Sequence, residues 1–153
     1  MLINIAPAPL KKEQDEAIGR SRGGLSTKIH ATVDALGNPT GFHLTGGQVC
    51  DLDSADVLLP AIAASVVLAD KGYDAEARVI APLAQAGKAA VIPSKRNRTM
   101  PRPFDKQLHQ ARHLIENFFA KLKQFRAIAT RYDKTARNFL AAIHLAAAAI
   151  WLV

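Results

Sequence analysis

Between Leu108 and Phe125 a single stretch carries two faces at helical spacing, and the faces differ in kind. At 100° per residue, Leu108, Ala111, Ile115, Phe118, Leu122 and Phe125 share an apolar arc that can face a core. His109, Arg112, Glu116 and Lys123 fall within about 60° of another arc. Such a helix must lie across something apolar. It must also carry an acid, an imidazole and two permanent cations along one stripe. The acid suits a metal ion and the cations suit phosphate. Upstream, SVVLADKGYDA presents Asp70 at the end of a short apolar strand. Ligands in open α/β sheets gather at strand ends.

The remaining elements follow from periodicity and turn residues. Leu25–Asp34 alternates as a strand, LGNP turns the chain, and Thr40–Thr45 returns as the second strand of a hairpin. Asp34 there is turn chemistry. GGQVCD is a loop. A helix follows over Asp53–Ala64, with Asp51, Asp53 or Ser54 as its N-cap. Val66–Ala69 is a buried strand. A helix is predicted over Asp74–Ala86, capped by Asp74 and stopped by Gly87. Ala89–Ile92 is another short strand, closed by Pro93. SKRNRTMPRP is a basic loop, Asp105–Phe125 the helix above, and Thr135–Leu152 a closing helix. Residues 1–18 read as a flexible lead-in, because APAPLKKEQDEA has two prolines and no sustained period. Residues 19–153 form the domain. The order β-β-α-β-α-β-α-α predicts an α/β layer fold with a mixed sheet flanked by helices.

Charge is uneven. The chain carries +7 overall, but Lys95–Arg137 holds twelve Lys/Arg against three acids, a local +9. A basic face of this kind favours nucleic acid or an acidic partner. Lys95, Arg96, Arg98 and Arg102 read as a DNA-contacting loop, and GRSRGG as a basic entry loop able to touch a phosphate backbone. Cys50 is alone, which excludes a disulfide framework and a cysteine-rich zinc site. His30, His43, His113 and His144 form no metal-binding pattern. The apolar run Phe139–Val153 is too short to span a bilayer. A cytoplasmic, nucleoid-associated protein without a membrane partner is the expectation.

Hydrolysis or joining of a phosphodiester by metal ions needs hard oxygen ligands from several elements. Arg112, Glu116 and Lys123 satisfy R-x3-E-x6-K. Together with RHLIENFFAKLKQFRAIATRYDK, VVLADKGYDA and GRSRGGLSTKIHATVDALGNP, this ordered set resembles the DDE transposases of bacterial insertion sequences. The nearest group is the insertion sequence 5 family, with an insertion sequence 4 group-like signature. The resemblance covers residues 19–153. It implies a ribonuclease-H-like core that cleaves and transfers DNA strands at transposon ends with Mg²⁺ or Mn²⁺. It further implies Asp70 and Glu116 as catalytic metal ligands, and His109, Arg112, Lys123, Arg96 and Arg98 as DNA contacts.

Two departures shape the expectation. The family signature begins Y-x2-R, and His109 stands at the tyrosine position. The family's first catalytic Asp lies on a strand upstream of GRSRGG, and MLINIAPAPL does not match an apolar strand ending in Asp. The chain therefore reads as the C-terminal part of a transposase whose sheet lacks its first strand. The missing acid would come from an upstream-frame segment, with homo-oligomers as a further form of assembly. A frameshift half, a truncated copy and a pseudogene product all fit this pattern. The alternative function is a catalytically inactive product that binds DNA or full-length transposase.

Overall fold

A computed structural model describes residues 2–5 and 16–152. Its centre is β3 (Gly24–Val33), a ten-residue strand. It pairs antiparallel with β4 (Pro39–Gly46) from Thr27↔Gly46 to Thr32↔Gly41, with a register shift between Thr32 and Val33. The connecting turn closes on Asp34, whose carboxylate accepts the amides of Leu36 and Asn38 at 2.8 and 2.9 Å. Gly37 takes φ +87°, a conformation open to glycine. β2 (Gly19–Ser21) folds back on the start of β3 as a tight hairpin.

The edge of β3 opposite β4 is occupied by β1 (Leu2–Ile5), antiparallel, from Leu2↔His30 to Ile5↔Thr27. The expected lead-in over 1–18 thus begins with a strand. LINI places a leucine and two isoleucines in four residues, and β3 offers it an unpaired row of backbone groups. Residues 6–15 lie outside the described residues.

The second layer is a two-stranded parallel sheet, β5 (Val66–Leu68) beside β6 (Ala89–Val91). The expected mixed sheet is therefore two sheets, one antiparallel and one parallel, with no described strand pairing bridging them. β5 and β6 are only three residues long, so each presents few backbone groups for further pairing. Between them the chain runs through a 3-10 turn (Lys71–Tyr73), a π-helical turn (Glu76–Ile80) and α2 (Ala81–Gln85). α1 (Asp51–Leu58) starts two residues before the expected boundary and ends in a 3-10 turn at Leu59–Ala61.

The expected single helix Asp105–Phe125 is two pieces, α3 (Lys106–Gln110) and α4 (His113–Leu122), and a further short helix, α5 (Arg126–Ala129), follows it. At the first break the amides of Ala111, Arg112, Leu114 and Ile115 bond three residues back, at 3.0–3.2 Å. This tightens the turn and rotates His109 off the Glu116 stripe. Ile115, Phe118 and Leu122 are buried as expected, whereas Leu108 and Phe125 are 41% and 38% exposed. α6 (Ala136–Leu152) closes the chain, with Thr135 Oγ1 accepting the amide of Asn138 at 3.2 Å. Among the described residues no helix is long and apolar enough to cross a membrane.

Two apolar clusters result. In the first, Ile29 and Ala31 of β3 pack against Phe118, Phe119 and Leu122 of α4, Ile128 of α5 and Phe139 and Ile143 of α6. In the second, Ala55 of α1 meets Val67 of β5, Val79, Leu83 of α2 and Ile92. Arg131, between α5 and α6, is 1% exposed and lies in the left-handed region at φ +44°. Its guanidinium donates to Thr27 Oγ1 on β3 and to the carbonyls of Glu16, Ala17 and Asp133. It also sits 4.7 Å over the Phe139 ring. Burial lowers its pKa, with Glu16 and Asp133 acting in the opposite direction. A buried charge of this kind stands only because its donors are met. Arg131→Met leaves those acceptors unpaired, and urea denaturation is expected to show a loss of about 2–3 kcal/mol. Arg131→Lys, which keeps the charge without the planar fork, should recover only part of it.

Candidate active site

Asp70 stands two residues past the end of β5. Its Oδ1 accepts the amide of Gly72 at 2.7 Å and so caps the 3-10 turn Lys71–Tyr73. A short polar side chain at this position closes the turn on its own backbone. Oδ2 has no hydrogen-bond partner among the described residues. The strand end itself is held from outside. His109 Nε2 lies 3.1 Å from the carbonyl oxygen of Ala69, a contact that requires the Nε2–H tautomer. The Phe104 ring packs edge-on against the imidazole at 5.5 Å.

One turn onward, Arg112 Nη2 bonds Glu116 Oε1 at 2.6 Å. The pair is i,i+4 on a partly exposed surface and is worth only ~0.5 kcal/mol. Its effect is to fix the direction of the carboxylate. Lys123 caps the C-terminal end of α4, exposed and without an ion-pair partner among the described residues.

The basic loop departs most from expectation. Asp74 does not cap α2. Its carboxylate, with 1% of its side chain exposed, is gripped by Arg98 Nη1 at 2.6 Å, by Arg102, and by the amide of Lys95 at 2.7 Å. Glu76 joins the same two guanidiniums, at 2.5 Å to Arg98 and 2.7 Å to Arg102. Two guanidinium forks satisfy a buried carboxylate better than the amides of an exposed helix end. Ala75 takes the cap position, with no side-chain bond, and the first turn winds as a π-helix. Burial acts to raise the Asp74 pKa. The Lys95 amide and the Arg102 and Arg98 charges outweigh it and hold the carboxyl below its ordinary value. Arg98, expected on DNA, thus has its charge directed into the protein, while Arg96 remains exposed.

Asp51, an N-cap candidate in the sequence, stands instead in the first turn of α1. Its carboxylate and that of Asp70 both approach Gly72: a β-carbon added there would meet Asp70 Oδ1 at 2.8 Å and Asp51 Oδ2 at 3.9 Å. Lys28 reaches it from β3, bonding Asp51 Oδ1 at 2.8 Å and the Val49 carbonyl at 2.7 Å. Nineteen residues separate Asp51 from Asp70, and no periodicity in the sequence links them. Nearby, Ser54 Oγ lies 3.2 Å from the Tyr73 hydroxyl, whose pKa burial pushes up to about 12. His30, on the same face of β3 as Lys28, is 1% exposed. Its Nε2 lies 2.8 Å from Thr45 Oγ1, its Nδ1 has no partner among the described residues, and burial lowers its pKa to about 4. His109 is thus brought to the Asp70 strand end and Arg112 to Glu116. Among the described residues no three Asp, Glu, His or Cys side chains cluster in a way that could hold a metal ion.

Comparison with known proteins gives this geometry a context. The transposase DDE domain family matches residues 6–152. A Brucella ovis protein that carries the name of a transposase for insertion sequence element IS6501 is 39% identical over 132 residues. That alignment spans 84% of this chain and 99% of the relative. No solved structure matches the chain significantly.

The Asp74 linkage has a definite sign. A carboxyl whose folded pKa is depressed contributes stability above its unfolded pKa, near 3.9, and loses it as pH falls toward the folded value. Asp74→Asn is expected to cost about 2 kcal/mol at pH 7, because Arg98 and Arg102 lose their buried partner but keep some solvent. Urea titrations at descending pH should show the gap between wild type and variant closing below about pH 4.

Proposed function

The chain belongs to the transposase DDE domain family, and we infer that it forms the catalytic part of a ribonuclease-H-like transposase of bacterial insertion sequences. Its role is in DNA transposition. DDE transposase domains in general carry out nucleotidyl transfer and use divalent metal ions. The proposal places this chain in the insertion sequence 5 family with an insertion sequence 4 group-like signature. The single observation that carries the site assignment is the His109–Ala69 contact. It tethers the segment bearing R-x3-E to the strand that ends in Asp70.

The donor chemistry fits Mg²⁺ or Mn²⁺. Asp70 Oδ2 and Glu116 Oε2 have no hydrogen-bond partners among the described residues. Mg²⁺ is bound by one or two carboxylates, with waters and substrate phosphate oxygens completing the shell. Asp70 and Glu116 would hold the ion, which supplies Lewis-acid polarisation at the scissile phosphodiester.

The chain's own residues do the rest. Gly72 fixes one oxygen of Asp70 and leaves the other available. Arg112 fixes one oxygen of Glu116 and keeps further guanidinium donors for a phosphate oxygen. His109 positions the backbone of the Asp70 strand end rather than reaching DNA directly. Lys123 and Arg96, both exposed, neutralise phosphates of the transposon-end and target DNA. The third acid comes from an upstream segment of the transposase, which makes that segment a protein partner of this chain.

The test uses a complete transposase that contains this domain. Glu116→Gln keeps the size and the hydrogen bond from Arg112 but removes the negative charge. Mg²⁺-dependent cleavage of a transposon-end duplex should fall by at least about 100-fold with end binding retained. Undiminished cleavage would overturn the site assignment.

A further inference from the structure

One basic motif stands apart from the Asp70–Glu116 site. The β2–β3 hairpin carries GRSRGG, and the loop after β4 carries Gly47 and Gln48. They enclose an open concavity of about 470 Å³, lined by Arg20, Ser21, Arg22, Gly23, Gly47 and Gln48. The fold builds this closeness deliberately. A β-carbon on Gly19 would overlap the Gln48 side chain, and one on Gly47 would overlap Ser26 Oγ. Ser21 and Ser26 tie the hairpin together, with Ser21 Oγ donating to the Gly24 carbonyl at 3.1 Å and Ser26 Oγ to Ser21 Oγ at 3.0 Å.

The lining is cationic and hydrogen-bonding. Among the described residues it contains two guanidiniums, a hydroxyl and a carboxamide, with no acid and no large apolar side chain. Arg20 and Arg22 are exposed and form no ion pair among the described residues, in contrast to Arg98, Arg102 and Arg112. Guanidinium forks with little steric bulk around them suit a phosphate diester, which can approach the backbone closely. No aromatic surface is present on which a base would stack.

We propose that this concavity is a binding site for the phosphate backbone of duplex DNA, with Arg20 and Arg22 as its charged contacts. It rests on the transposition role, and it adds a sequence-independent grip on a different element from the site that holds Asp70 and Glu116. The grip fixes the position of a duplex without reading its bases.

The experiment is fluorescence anisotropy of the full chain with a 20-bp duplex of arbitrary sequence over a range of NaCl. The double substitution Arg20→Ala/Arg22→Ala should weaken binding by about tenfold or more near 0.1 M salt. It should also flatten the slope of log K against log salt by about 1.8, since each phosphate contact contributes about 0.9. Lys121→Ala/Lys134→Ala removes the same charge elsewhere and should have a smaller effect. Arg20→Lys/Arg22→Lys should retain most of the slope. An unchanged slope, or an equal loss from the two alanine doubles, overturns the site. Displacement of the duplex by polyglutamate as readily as by competitor DNA overturns the assignment to DNA. Asp70 and Glu116 stay unaltered in every variant, so failure of this grip leaves the catalytic assignment to its own cleavage test. Wild-type protein that fails to bind the duplex even at low salt overturns the proposed grip.

Discussion

One buried carboxylate decides where the basic half of this molecule goes. Asp74 follows the 3-10 turn after β5, and its side chain is almost wholly out of water. Removing a carboxylate from water is costly unless charge and hydrogen bonds replace the lost hydration. Arg98, Arg102 and the Lys95 amide do this from the loop between β6 and α3. That loop has little apolar content of its own, so its path is set by where its guanidiniums find a buried anion. Once it is pinned, the chain re-enters helix at Lys106 within reach of β5. His109 then bonds Ala69, the residue before Asp70. The candidate site thus depends on a charge network that takes no part in its chemistry.

A second buried charge secures the opposite end. Arg131 links the α5–α6 connection to Thr27 in the centre of β3 and to the backbone at Glu16 and Ala17. With Phe139 beneath the guanidinium, the contact spans apolar and polar layers at once. Both Asp74 and Arg131 are charges placed in the interior, and each is satisfied largely by partners distant in sequence. This leaves exposed helix surface for the weaker Arg112–Glu116 pair, where solvent screening makes a salt bridge cheap to form and to break. A carboxylate that must exchange an intramolecular partner for another ligand is better held weakly than strongly.

Much of this was legible in the sequence. The strand at β3, the LGNP turn, the two short apolar strands and the closing helix all follow from period and punctuation, because each is settled by local burial. Asp34 was legible for the same reason, since its partners are two and four residues away. What the sequence did not reveal is non-local. The helix through Leu108–Phe125 has the right period for continuity, yet it breaks at Ala111–Arg112, where the tether of His109 to β5 competes with regular winding. Asp74 has the composition of an N-cap and is used otherwise, because two arginines more than twenty residues away outbid the local amides. Asp51 reads as an N-cap and stands one residue inside α1, behind Cys50. Its proximity to Asp70 comes only from the packing of α1 against β5 and the turn after it. LINI lacked the length to announce itself as a strand beside a proline-rich stretch.

The same argument changes how the charge itself is read. Lys95–Arg137 carries a local +9, and a linear count makes that segment the nucleic-acid face. In the fold, Arg98 and Arg102 neutralise Asp74 and Glu76, Arg112 neutralises Glu116, and Arg131 is interior. A third of the segment's twelve cations therefore serve the protein rather than a ligand. Arg20 and Arg22, outside that segment and only two charges strong, keep their guanidiniums in solvent. Counterion release depends on cations that can meet phosphate, not on formal charge per residue. A shorter motif whose arginines have no ion-pair partner among the described residues can thus contribute more to holding DNA than a longer basic run folded onto its own acids.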